Sequence, residues 1–138
     1  MAATLGNTKK AYMKVSSTYT WLACEQSNSI NRTQEAVEVS DKSTAWAQFI
    51  AGKKGATAEI TVFADNSDNG QKAALKGLYN GVTVDVFLGS LSGSTLQDGE
   101  AFQGIVTAVS DTHDFGAVST RTISITANGA VTHYPALT

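Results

Sequence analysis

Apolar and polar residues alternate with a period of two along most of the chain, the spacing of strands with one face in a core and one outside it. Ala11, Met13 and Val15 alternate with Lys10, Tyr12 and Lys14. A second strand is predicted over roughly residues 18–24, where Tyr19, Trp21 and Ala23 share one parity. A short third places Val37 and Val39 on one side and Glu38 on the other. The clearest run is 56–64, with Ala56, Ala58, Ile60, Val62 and Ala64 facing one way and Thr57, Glu59, Thr61 and Phe63 the other. Residues 82–88 repeat the design, with Val82, Val84, Val86 and Leu88 inward and Thr83, Asp85 and Phe87 outward. The run 100–110 opens with Phe102 on one face and loses its parity after Gly104, which predicts a bulge or a strand covered on both faces. Over 120–127 the alternation is clean again, with Ile123, Ile125 and Ala127 opposing Thr122, Ser124 and Thr126.

One segment has a different rhythm. From about Asp68 to Asn80, an aspartate at a helix N-cap position precedes Ala73, Ala74, Leu75, Leu78 and Tyr79 at helical spacing, and Asn80-Gly81 supplies a stop. Residues 89–99 read as a flexible polar connector, and 110–116 as a second loop carrying an apolar Phe115. The fold class expected is mainly β, a β-sandwich or barrel with one flanking α-helix. No internal repeat or linker divides the chain, so residues 1–138 are expected to form one domain, with a mobile N-terminal arm (about 1–9) and C-terminal tail (about 135–138).

With 138 residues, a domain buries roughly two thirds of its unfolded surface. Charged residues make up 16%, against about a quarter in ordinary proteins, which fits a hydroxyl-rich surface that other subunits cover. The formal net charge of -2 gives no electrostatic case for gripping nucleic acid. After Lys76 the only basic residue is Arg121, against Asp85, Asp98, Glu100, Asp111 and Asp114. The single cysteine, Cys24, excludes an internal disulfide. No apolar run approaches the ~18 residues of a membrane span.

Catalytic and metal chemistry find little support. Asp111, His113 and Asp114 share one loop, but one histidine makes an incomplete zinc site. Cys24 has no neighbour that would activate a thiol. No glycine-rich phosphate loop has the strand–loop–helix form it needs. No metal, cofactor or enzymatic activity is therefore expected.

What remains are aromatics out of pattern. Trp46, Phe49 and Ile50 sit in a predicted loop, 41–55, without sequence-local partners, and an apolar loop of that kind marks a surface meant to be covered. Phe63 and Phe87 lie on the polar parity of clean strands, to be covered either by the helix through Leu75 and Leu78 or by a neighbouring subunit. A surface binding module, using Trp21 with Tyr19 or Tyr12 as an aromatic platform, is the alternative reading.

The stretch Val39-Ser40-Asp41, the run from Ala45 through Trp46, Phe49 and Ile50 to Gly52, the helix after Phe63, and the stretches 102–110 and 123–132 follow one another in an order and spacing more specific than any one of them. In that order the chain resembles the major tail (tail tube) proteins of long-tailed bacteriophages, a family similar in fold to the inner-tube protein of type VI secretion and to gene-transfer-agent tail proteins. The resemblance implies a virion protein, assembled in the host cytoplasm, whose hexameric rings stack into a tube for genome delivery. It implies as partners further copies of the chain, other tail proteins (tape measure, tail terminator, distal tail) and double-stranded DNA that passes without specific binding, and no membrane. On this reading Trp46, Phe49, Ile50, Phe63 and Phe87 are inter-subunit or inter-ring contacts, and Glu59, Asp85, Asp98 and Glu100 are candidate lumen acids that repel phosphate.

Overall fold

The alternating segments assemble into one antiparallel sheet in a computed structural model that describes residues 9–43, 45–93 and 95–137. In chain order the elements are β1 (Lys10–Val15), β2 (Thr18–Trp21), β3 (Glu25–Glu38), β4 (Phe49–Phe63), α1 (Asn69–Asn80), β5 (Val84–Ser92), β6 (Thr95–Thr112), β7 (Thr120–Ala127) and β8 (Thr132–Tyr134). The strand order is β2-β1-β5-β6-β7-β4-β3. β8 takes the edge of β6 at Gly99, Glu100 and Ala101, and β7 takes the same edge from Gly104 to Thr112. The sheet curls until its ends approach: Asn28 Nδ2 donates to Lys9 O at 3.2 Å, and Ala11 N donates to Glu25 Oε1 at 2.9 Å.

The concave face holds the core. Ala11, Met13, Leu22, Ala58, Ile60, Val62, Val86, Leu88, Phe102, Val106, Ile123 and Ile125 meet there, and α1 adds Ala74. The inward parities predicted for β4 and β7 are those observed. Val82 lies before β5 and is exposed, whereas Val84 is half-buried. The helix begins and ends where its caps predict. The Asp68 carboxylate accepts from Gln71 N at 3.2 Å, and Gly81 closes the last turn in the left-handed conformation that glycine adopts without a Cβ penalty.

Three expectations are corrected. Residues 49–55 are strand, not loop, because β3 is a fourteen-residue strand that pairs with β4 out to Glu38↔Phe49. Residues 89–99 are not a flexible connector: β5 and β6 continue through them as a hairpin paired out to Ser92↔Thr95. Gly89 and Gly99 lie face to face there, and a Cβ on Gly99 would stand 2.1 Å from Leu88 O. Those glycines mark close backbone approach, not flexibility. The irregularity predicted near Gly104 falls between Val106 and Ala108, while Gly104 itself is pressed against Ile125. Residues 1–8 of the expected N-terminal arm and Thr138 of the C-terminal tail lie outside the described residues; Lys9 is held by an ion pair to Asp98 at 2.8 Å.

Candidate assembly surfaces

The β3–β4 hairpin extends beyond the sheet body. β4 pairs with β7 only from Thr57 to Phe63, so Phe49–Ala56 has β3 as its ladder partner. Two hydrogen bonds close the tip: Val39 N to Gln48 O at 2.8 Å and Gln48 N to Ser40 Oγ at 2.6 Å. Asp41 Oδ1 accepts from both the amide and the hydroxyl of Ser43, an Asx-type turn. On this ordered tip Trp46 is 85% exposed, and Phe49 and Ile50 more than half. Val37, opposite Ile50, and Val39 add further exposed apolar surface. A tip braced by these bonds whose apolar groups face water is suited to docking.

Phe87 belongs elsewhere. It points to the convex face, away from α1, and is fully buried in its own chain. Tyr12, Tyr19 and Tyr134 cover it, with ring centroids 6.0–6.2 Å away. The expectation that Phe87 contacts another subunit is therefore withdrawn, and so is its coverage by the helix. Burial pushes the Tyr12 and Tyr19 hydroxyls above their ordinary pKa, with smaller help from Glu25 and Asp85 respectively. Two of the three residues named for an aromatic platform thus form the lid of Phe87. The third, Trp21, has Lys10 over its ring at 4.4 Å and donates to Glu25 Oε1. Phe63 is half-buried at the end of β4 far from Trp46.

The four acids divide by sheet face. Glu59 and Asp85 share the convex face, since Asp85 pairs with Gln103 in register and Glu59 with Ser29 and Ser124. Around Glu59 that face is a shallow polar groove of Ser29, Asn31, Thr57, Thr107, Ser124 and Thr126. Glu100 lies opposite Leu88, on the concave parity, and is buried under an ion pair with Arg32, with His133 Nε2 4.0 Å away. Asp98 is paired with Lys9. Glu100 cannot line a bore from a buried site and is dropped from the lumen set; Asp98, partly exposed, shares the parity of Glu100, across the sheet from Glu59 and Asp85.

A polar knot fastens α1 at the Phe63 end. Gln71 is fully buried, and its amide makes four bonds: Nε2 to Ala23 O and Phe63 O, and Oε1 from Asp65 N and Arg121 Nη1. Arg121, also buried, donates to both Asp111 oxygens and to Asn66 Oδ1. This is why the one basic residue after Lys76 stands at 121: it joins β7 to the helix N-terminus and to the base of the β6–β7 connection. The Arg121 hydrogen bond holds the Asp111 carboxyl below its ordinary pKa.

A family model described as phage tail tube protein matches residues 6–133. The chain belongs to that family. No curated protein matches it in sequence. Among solved structures, this tail tube protein is similar to the tail of an empty gene-transfer-agent particle refined helically with C6 symmetry, at TM-score 0.80 and 14% identity, covering 95% of this chain and 98% of that one. It is also similar to the SPP1 tail tube, at TM-score 0.76 and 13% identity over 91% of this chain and 76% of that one. A chain of the anti-feeding prophage baseplate follows at TM-score 0.69 and 10% identity, over 94% of each. At these identities the likeness is one of fold, and the family match carries the role: a structural component of the virion tail. As a tail tube protein the chain has one feature that strand patterning missed, the buried Gln71–Arg121 knot, for which the lone late arginine was the signal; Phe115, read as an apolar residue in a loop, is indeed fully exposed there.

Proposed function

We propose that copies of this chain close into hexameric rings and that the rings stack into the tail tube, with the β3–β4 tip making the contact between rings. The supporting observation is that tip: the core is complete without Trp46, Phe49 and Ile50, yet they are held in water on an internally bonded hairpin. A heterologous contact that closes gives a ring, and one that does not close gives a filament; a tube requires both. Among the described residues the outer edges of β2 and β3, at the two ends of the sheet order, have no further strand beside them and are suited to pairing around the ring.

The hydroxyl-rich convex face bearing Glu59 and Asp85 is proposed as the bore wall, where carboxylates repel DNA phosphate and short polar side chains offer no firm grip. Assembly takes place in the host cytoplasm, and the tape measure, terminator and distal tail proteins contact the stack inside and at its ends. Negative-stain microscopy with sedimentation of the purified protein tests the reading. Six-membered rings or tubes are expected. Persistent monomers at high concentration, unchanged by short tail fragments as seeds, would count against it.

A further inference from the structure

The β6–β7 connection has no role in the reading so far, and it is built around an exposed aromatic. Ala117 N donates to Asp114 O at 3.2 Å, closing a β-turn with Phe115 second and Gly116 third. Gly116 has φ +79°, the conformation a type II turn demands at that place. Phe115 is fully exposed and Val118 two-thirds exposed. The feet of the loop are fastened. Arg121 holds Asp111 at 2.8 Å, His113 Nδ1 and Ser119 Oγ are bonded at 2.7 Å, and Ala64 N donates to Ser119 O at 2.9 Å. A phenyl ring held in water on a rigid loop sacrifices little freedom when a partner covers it.

Its position gives the partner. Thr120 pairs with Phe63, at the opposite end of β4 from Phe49 and the Trp46 tip. Along fifteen residues of strand that is roughly 45 Å. The two apolar ends cannot meet within one molecule. A translation along the strand sets one copy's tip on the next copy's turn, a heterologous contact that propagates without closing. An ion pair across the contact is available: exposed Lys42 shares the tip with Trp46, and Asp114 adjoins Phe115 on the turn, while the Asp41 carboxylate is turned toward the amide and hydroxyl of Ser43.

We infer that the turn at 114–118 is the receiving half of the ring-to-ring contact, with Phe115 and Val118 packing against Trp46, Phe49 and Ile50 of a second copy and Asp114 opposite Lys42. The inference rests on the tube reading and extends it by naming both halves of one contact. The test places the photo-crosslinker p-benzoylphenylalanine at position 115, co-assembles that chain with excess wild type, irradiates, and maps the products by mass spectrometry. Cross-links to residues 39–50 of another copy are expected in tubes, and none in dispersed subunits. Phe115→Ala should raise the concentration needed for tubes by about 30-fold with an unchanged unfolding midpoint. Lys42→Asp should weaken assembly and Asp114→Lys restore it. If tubes form but the cross-links lead to another segment, this contact is wrong and the tube reading stands. If wild-type protein forms no tubes even when seeded, both fall.

Discussion

Replacing Trp46 with alanine should separate assembly from folding. A tryptophan buries about 150–250 Å² when covered. With 85% of Trp46 exposed in the single chain, roughly 130–210 Å² remains to be removed from water by a partner. At about 25 cal/mol per Å² this is at most ~3–5 kcal/mol, and ordering costs reduce it toward the ~2 kcal/mol of a hot spot. Trp46→Ala should therefore raise the critical concentration for tube formation by about 30-fold or more. The dispersed subunit should keep its stability within about 0.5 kcal/mol, since the side chain supports no core. Phe87→Ala is the control with the opposite signature, because losing a fully buried ring costs about 3–5 kcal/mol of subunit stability. Urea denaturation of dispersed subunits and pelleting of tubes measure the two quantities separately. The reasoning is refuted if Trp46→Ala leaves the critical concentration within about twofold of wild type, or destabilises the subunit as Phe87→Ala does.

Gln71→Leu should cost at least about 3 kcal/mol in urea denaturation, because it strands Asp65 N, Ala23 O and Phe63 O and takes a partner from Arg121. Gly77→Ala should destabilise by about 1 kcal/mol in spite of alanine's better helix propensity, because its Cβ would stand 2.8 Å from Val84 Cγ1. Asp111 has its folded pKa below the unfolded value of 3.8, so its stabilisation is complete above 3.8 and is lost as pH falls through the lower folded value. An acid titration of stability should accordingly be shallower in Asp111→Asn, and an unchanged slope would remove this pair from the account. Glu59→Lys should leave subunit stability within about 0.5 kcal/mol and slow DNA release from assembled particles, read as loss of infectivity.

Strands with one buried face were legible because burial imposes period two, and β7 was read from Thr120 to Ala127 with its bounds intact. The helix was legible because Asp68 and Gly81 are its caps. β3 was read only at its far end, at Val37 and Glu38, because Asn31–Glu38 faces solvent on both sides, and little then selects apolar over polar at alternate positions. The same cause hid the start of β4, where Phe49 and Ile50 looked like loop residues when they are neighbours on an exposed strand. Phe87 was misplaced because its tyrosine cover comes from β1, β2 and β8, a conjunction that only the sheet order creates. Glu100 looked like a free acid because Arg32, its partner, lies 68 positions away.

A helical reconstruction of the assembled tube by electron cryomicroscopy tests the central claim most directly. Six subunits per ring are predicted, with Trp46, Phe49 and Ile50 buried between successive rings and the Glu59 face turned to the bore. A tube in which the β3–β4 tip projects free into solvent, touching no neighbouring copy, would contradict the account.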